Sequence, residues 1–294
     1  MGRLSDLIKT VVPFEDEFTK MVRARDNGEE WAQRKLNELF VNDPNIMPKL
    51  MSARRKIYEN DAKNGDPMAM YYYGISCEDE QTFMGMLVPL ANNNNIDAIT
   101  AIGNRLALEE RDREAFSWYM KAAERGDIYS QNYIALQYYI GIEDDGPDYD
   151  KAYEWYRKAA QQDSSKGYSG MGSCIDCWRD NKQLDANVSK EMLLDYDMQI
   201  VDCYAAALDC AKDDDEFREA AWGLGNAYRA SAWDMDIQEK ALLMNKTAIF
   251  YYYLAYDTGH PYGLELAQEI AEQKSIVVDF NDIERWAQKE GILE

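Results

Sequence analysis

The apolar residues of this chain recur at helical spacing, and the phrases that carry them return. Residues 115–127 read AFSWYMKAAERGD and residues 152–164 read AYEWYRKAAQQDS, 37 residues later. The strict alternation that a half-buried strand requires is absent. SARRKIYENDAKNGD (52–66), GMLVPLANNNN (85–95), IVDCYAAALDCAKDD (200–214) and AIFYYYLAYDTGHP (248–261) fit the same template, which places Tyr58, Leu87, Tyr119, Tyr156, Tyr204 and Tyr252 in one column. The turn column after it holds Gly65, Asn94, Gly126, Asp163 and Gly259. Gly and Asn suit a helix C-terminus because they tolerate positive φ.

A second register follows the turns. Gly74, Gly103, Ala135 and Gly172 each lie nine residues after a turn residue, and Gly225 joins their column. Five residues before each stands another small side chain: Ala69, Ala98, Ser130, Gly167 and Ala220. Small residues in register on successive helices are what close helix packing requires. A helical Gly costs up to about 1 kcal/mol relative to Ala, so its repetition points to a steric reason. The spacing therefore predicts helical hairpins, with a first helix such as SQNYIALQYYIG and a second such as KAYEWYRKAAQQ. A hairpin of this kind buries its apolar face only by stacking on copies of itself.

The column from Gly74 to Gly225 advances by 29, 32, 37 and 53 residues, so loops are expected to take up the insertions at 142–150, 178–189 and 230–239. Residues 1–60 are expected to form a helical N-terminal cap, 61–270 the repeat array and 271–294 a C-terminal capping helix.

Composition narrows the function classes. The 294 residues are 46% hydrophobic, enough for a sizeable core. No run of about 18 apolar residues exists and the N-terminus is charged on both sides of a very short apolar stretch, so neither a membrane span nor a signal peptide is expected. Asp6 stands where a myristoylation signal after Gly2 wants Ser or Thr. A cytoplasmic protein is expected, and its five cysteines are expected to be reduced thiols. Net charge is −22, carried by residues 61–294, where 21 Lys/Arg face 44 Asp/Glu. A field of that sign repels nucleic acid and anionic lipid and speeds encounter with basic partners; it also keeps a protein soluble.

Candidate chemistry is sparse. His260, in the turn TGHPYG, is the single histidine and has no second base or nucleophile beside it in sequence, which favours a turn role over acid–base work. Cys174 and Cys177 form a CxxC within a predicted helix, with Cys203 and Cys210 on the helix expected to face it. Four thiolates suit tetrahedral zinc, but buried cysteines in helices are commonly small hydrophobes. The acidic runs CEDE (77–80), IEDDGPDYD (142–150) and KDDDE (212–216) fit a calcium loop only loosely and read better as solvated loops. No cofactor and no metal are expected. Most of the 21 Tyr and 7 Trp fall at helical spacing as core between hairpins, while those on a concave side would be binding anchors.

The phrases AFSWYMKAAERGD and AYEWYRKAAQQDS, with the first-helix half GLGNAYRAS (223–231), resemble Sel-one-like repeats, relatives of tetratricopeptide repeats. The resemblance is clear over roughly 62–172 and weaker to about 270; Pro89 inside a second helix and the lack of paired aromatics at 188–215 depart from the pattern. It implies an all-α, right-handed superhelical solenoid of stacked helical hairpins, serving as a non-catalytic scaffold for protein binding. Carrying tetratricopeptide groove positions over from the small-residue column implies a concave face of Tyr71, Asn104, Asn132, Tyr139, Lys166, Asp176, Trp222, Asn226 and Arg229. Bacterial members include effectors, adaptors and immunity proteins. With the acidic charge, this leads to the expectation of a cytoplasmic bacterial immunity or inhibitor protein binding a basic toxin, with no nucleic acid and no membrane as partner. An adaptor in a signalling, secretion or defence complex is the alternative. A hydrolase using His260 and acidic residues is the reading from another class, and mimicry of nucleic acid by the acidic face is a further one.

Overall fold

The computed structural model describes residues 16–142, 146–183, 189–234 and 238–293. The expected N-terminal cap thus lies in part, and the three expected loops at 143–145, 184–188 and 235–237, outside the described residues. Among the described residues the fold is all-α, and no helix is long and apolar enough to cross a membrane.

Short-range chemistry starts and stops the helices. The five turn-column residues all have left-handed backbone: Gly65 at φ +88°, Asn94 at +63°, Gly126 at +91°, Asp163 at +58° and Gly259 at +102°. The next residue reaches back to the closing helix, Asp66 N–H to Asp61 O at 3.0 Å and Asp127 N–H to Ala122 O at 3.1 Å, which satisfies carbonyls left open at a helix end. The same residue caps the helix that follows. The side chains of Asp66, Asn95 and Asp127 accept the N–H of Ala69, Ala98 and Ser130, each at 2.8 Å. Two residues thereby end one hairpin and begin the next.

The chain forms two compact units, Met1–Trp118 and Tyr119–Glu294. The first contains α1 (Glu17–Asp26), α2 (Glu30–Asn42), α3 (Ile46–Lys63), α4 (Pro67–Ser76), α5 (Glu80–Asn92), α6 (Ile96–Leu108) and the start of α7 (Asp112–Ala123). Helix α1 packs on α2 and α3, and each helix from α3 to α5 packs on its successor. The core at the start of this unit joins Met21, Ala24, Ala32 and Leu36, and Val22 with Leu50 and Ala53. A buried ion pair, Arg54 Nε to Asp26 Oδ2 at 3.0 Å, ties α3 to α1, with the guanidinium 4.7 Å from the centre of the Tyr72 ring. Pro89 sits within α5 near its C-terminal end.

The second unit holds the rest of α7, then α8 (Ile128–Ile140), α9 (Tyr149–Ala160), α10 (Ser165–Gln183), α11 (Lys190–Asp209), α12 (Asp214–Asp234), α13 (Gln238–Asp257), α14 (Gly263–Gln273) and α15 (Ile283–Lys289). From α8 to α14 consecutive helices pack on one another, α15 packs on α13, and α8, α10 and α12 also touch one another in series, forming a layer of first helices. The tyrosine column explains the stacking. Tyr156 of α9 packs with Ala135 of α8 and lies on Gly170 of α10; Tyr204 of α11 lies on Gly172 of α10 and on Gly223 of α12. Residues two apart on a helix face nearly opposite ways, so each Gly-x-Gly receives one ring from the helix before and one from the helix after. A Cβ at Gly172 would stand 3.0 Å from Tyr204 Cε2, and one at Gly225 2.7 Å from Tyr252 Cδ1. This is the steric reason that the repeated helical glycines imply. The described residues thus form the stacked helical hairpins that the repeated phrases imply.

All three expected loops are partly helix, the first only at 149–150, where α9 begins. Residues 178–183 extend α10 and 230–234 extend α12. The extra turns are held by packing: Trp178 lies 5.0 Å ring to ring from Tyr153, Arg179 pairs with buried Asp197, and Ser231 and Ala232 are buried. At 146–148 the chain is non-helical as expected, and Asp148 caps α9 by accepting the Lys151 N–H at 3.0 Å.

Candidate functional site

The layer of first helices in the second unit carries a groove of about 530 Å³ between α8 and α10, closed at one side by Glu219 of α12. Helix α8 reads IYSQNYIALQYYI, apolar around most of its circumference, so it has more apolar surface than its neighbours cover. Tyr129, Leu136 and Ile140 remain 58%, 44% and 57% exposed. Spacings of seven and four residues place them along one side of the helix. Tyr129 and Leu136 line the groove, and Tyr133 joins them there with its ring 4.0 Å from that of buried Tyr119.

Three positions expected on the concave face meet in this groove: Asn132, Tyr139 and Lys166. Asn132 donates from Nδ2 to Ser164 Oγ at 3.0 Å, and that same hydroxyl accepts the Gly167 N–H at the start of α10. Tyr139 sets its hydroxyl 3.5 Å from Cys177 Sγ and its ring 5.4 Å from Tyr149. Lys166 is exposed at the groove edge.

The remaining expected positions lie elsewhere. Asn226 and Arg229 line a separate cavity described below. Asp176 is exposed on α10, where crowding by protein and the nearby Asp180 raise its carboxyl above the ordinary range. Trp222 is half-buried, stacked on His260 at 3.8 Å and set edgewise against Tyr252 at 5.0 Å. Tyr71, on α4 of the first unit, is half-buried with its ring edge-on to Tyr72, and Asn104, on α6, is exposed. Tyr129, Tyr133, Leu136, Ser169 and Ser173 line the groove without having been expected there. The sequence signal for the first three is the second apolar side of α8.

His260 is a turn residue that packs on aromatic rings. It covers Trp222, its Nδ1 accepts the Tyr262 N–H at 3.3 Å, and burial together with the Arg218 guanidinium lowers its pKa. All five cysteines are free thiols; Cys174 and Cys203 are buried, and burial pushes their pKa values up to about 12 and about 11. Among the described residues no group of three or more His, Cys, Asp or Glu side chains is placed to hold a metal ion.

No protein-family model matches the chain, and comparison with curated proteins also gives no match. Solved structures similar to it include a Sel1 repeat protein from Oxalobacter formigenes, 18% identical over 82% of this chain and 98% of that one, with a TM-score of 0.47. Another is c5321, a protective antigen of uropathogenic Escherichia coli strains displaying an SLR fold, 16% identical over 94% of this chain and 71% of that one, TM-score 0.36. A third is the human IFIT1 dimer with PPP-AAAA, 17% identical over 87% of this chain and 61% of that one, TM-score 0.41.

Proposed function

We propose that this chain is a non-catalytic scaffold that binds a basic protein, and that the α8–α10 groove of the second unit grips an apolar segment of that partner. The observation that carries the reading is the row of exposed Tyr129, Leu136 and Ile140 beside a groove already lined by Tyr133 and Tyr139. Singly exposed apolar side chains are ordinary, but a contiguous row of them marks an interaction surface, and Tyr is among the residues that dominate binding hot spots. Charge selects the sign of the partner. Residues 119–294 carry 34 Asp/Glu against 17 Lys/Arg, a field that accelerates encounter with a cationic surface and rejects an anionic one. The apolar row supplies the contact and the acidic surround supplies steering.

The finer reading is a cytoplasmic bacterial immunity or inhibitor protein that covers a basic toxin such as a nuclease; the same charge supports it. An adaptor within a larger complex is the alternative. Capture from a lysate of the source organism, comparing wild type with Leu136→Asp at low and high salt and identifying proteins by mass spectrometry, tests the groove and the charge together. The expected result is one basic protein, lost with Leu136→Asp and released by about 0.5 M salt, where exposed charges are screened beyond a few ångströms. Neutralisation of that protein's toxicity by the chain carries the inhibitor reading. Several partners held in high salt through Leu136 carry the adaptor reading. Partners retained equally by the variant overturn the groove.

A further inference from the structure

The second unit has twice as many acidic as basic side chains, yet one of its cavities is lined by more basic than acidic ones. It encloses about 420 Å³ and is bordered by α10, α12, α13 and α14. Arg179, Arg229 and Lys274 line it with one carboxylate, Glu269; Arg179 is matched by Asp197 and Asp180, so the basic excess rests on Arg229 and Lys274. We propose that this cavity binds an oxyanion, the carboxylate or phosphate of a small molecule or of a polypeptide C-terminus.

Each basic group is placed differently. Arg179 is buried; its Nε is held at 2.5 Å by Oδ1 of Asp197, itself wholly buried on α11, and its Nη1 lies 3.4 Å from Oδ1 of Asp180. That pair fixes the guanidinium plane at the cavity wall, and a fixed fork loses less entropy on binding a ligand than a mobile one. Arg229 is exposed at the opening, and neither it nor Lys274 makes a side-chain hydrogen bond or ion pair among the described residues. Glu269 is occupied from within its own helix, accepting Gln273 Nε2 at 2.8 Å. Asn226 accepts the Tyr252 hydroxyl at Oδ1 over 2.7 Å, so its amide N–H groups are what it has left to offer the cavity.

The Arg229 guanidinium, the Lys274 ammonium and the Asn226 amide line one volume and offer the donors that a carboxylate or phosphate accepts, while Arg179, already bonded to Asp197 and Asp180, is a fixed part of the wall. The same groups reject the basic segment that the surrounding surface attracts. A cavity of this size is in the range that holds a small ligand or the last residues of a chain. The acidic surround lowers the local concentration of every anion, so occupancy here requires direct contacts rather than diffuse attraction. The site stands on its own residues and does not depend on the α8–α10 groove.

The test is isothermal titration at about 50 mM salt, with the arginine Nε–Hε resonances followed by NMR. The probes are inorganic phosphate, citrate, and N-acetyl-trialanine as the free acid and as the amide. Wild type is expected to bind at least one of the oxyanion probes and to shift the Arg229 and Arg179 resonances. R229Q/K274Q is expected to weaken that binding at least tenfold. R229K, which keeps the charge and loses the fork, is expected to weaken it less, and this holds the test open if the double variant melts early. Binding of phosphate or citrate with both peptides silent assigns a small-molecule anion; binding of the acid but not the amide assigns a chain terminus. No binding of any oxyanion probe below about 10 mM, equal binding by R229Q/K274Q, or equal binding of acid and amide with phosphate and citrate silent overturns the proposal.

Discussion

Replacing Gly225 by alanine places a methyl carbon 2.7 Å from Cδ1, 2.8 Å from Cε1 and 3.0 Å from Cγ of Tyr252. Ordinary contact begins near 3.4 Å, so the ring must retreat by more than half an ångström. It has nowhere easy to go. Tyr252 is wholly buried, its hydroxyl is held by Asn226 Oδ1 at 2.7 Å, and Trp222 stands edgewise 5.0 Å away. Overpacking at such a site costs about 3 kcal/mol, the upper part of the usual range. Alanine returns about 1 kcal/mol through its better helix propensity. The net is about 2 kcal/mol of destabilisation, or a fall of about 4–8 °C in the melting temperature of a unit this size. Gly85 of α5 supplies the control, because a Cβ there meets nothing within 4 Å. Gly85→Ala is expected to stabilise by up to about 1 kcal/mol. Urea and thermal unfolding followed by far-ultraviolet circular dichroism measure both. Gly225→Ala in a Tyr252→Ala background, where the ring is gone, is expected to stabilise by the propensity gain of about 1 kcal/mol, giving a coupling energy of about 3 kcal/mol. A Gly225→Ala variant as stable as wild type, or a cost that persists without the ring, would refute the account of how the hairpins interlock.

Two further outcomes follow from buried titratable groups. With iodoacetamide at pH 8, Cys177 and Cys210, both partly exposed, are expected to be alkylated in the native protein while Cys174 and Cys203 are spared; peptide mass spectrometry reads the order, and early labelling of Cys174 contradicts its burial. His260, the single histidine, has a folded pKa below the 6.5 of the unfolded chain, because burial and Arg218 disfavour its charged form. The unfolded state then binds the proton more readily, so stability is full above about pH 6.5 and declines as pH falls through that value until the folded histidine also protonates. Unfolding at pH 5.5 and 7.5, with His260→Gln as the variant that removes this part of the slope, measures it.

The left-handed residues Gly65, Asn94, Gly126, Asp163 and Gly259 and the column of core tyrosines were legible in the sequence. Each expresses a rule that acts within a few residues: which backbone tolerates positive φ, and which residue is too large to stay in water. The fold class was legible for the same reason, since a hairpin that repeats has to stack. The helical extensions at 178–183 and 230–234 were not, because polar stretches such as WRDNKQ are helical here only through partners distant in sequence, Tyr153 for Trp178 and Asp197 for Arg179. The fate of the expected binding residues was decided at the same level. Asn132, Tyr139 and Lys166 share a groove, Asn226 and Arg229 line a cavity with Arg179 and Lys274, and Trp222 is committed to His260. Periodicity assigns a residue to a face of its own helix; whether that face is covered, open or paired depends on which helix comes to lie against it, and only the packed structure brings those helices together.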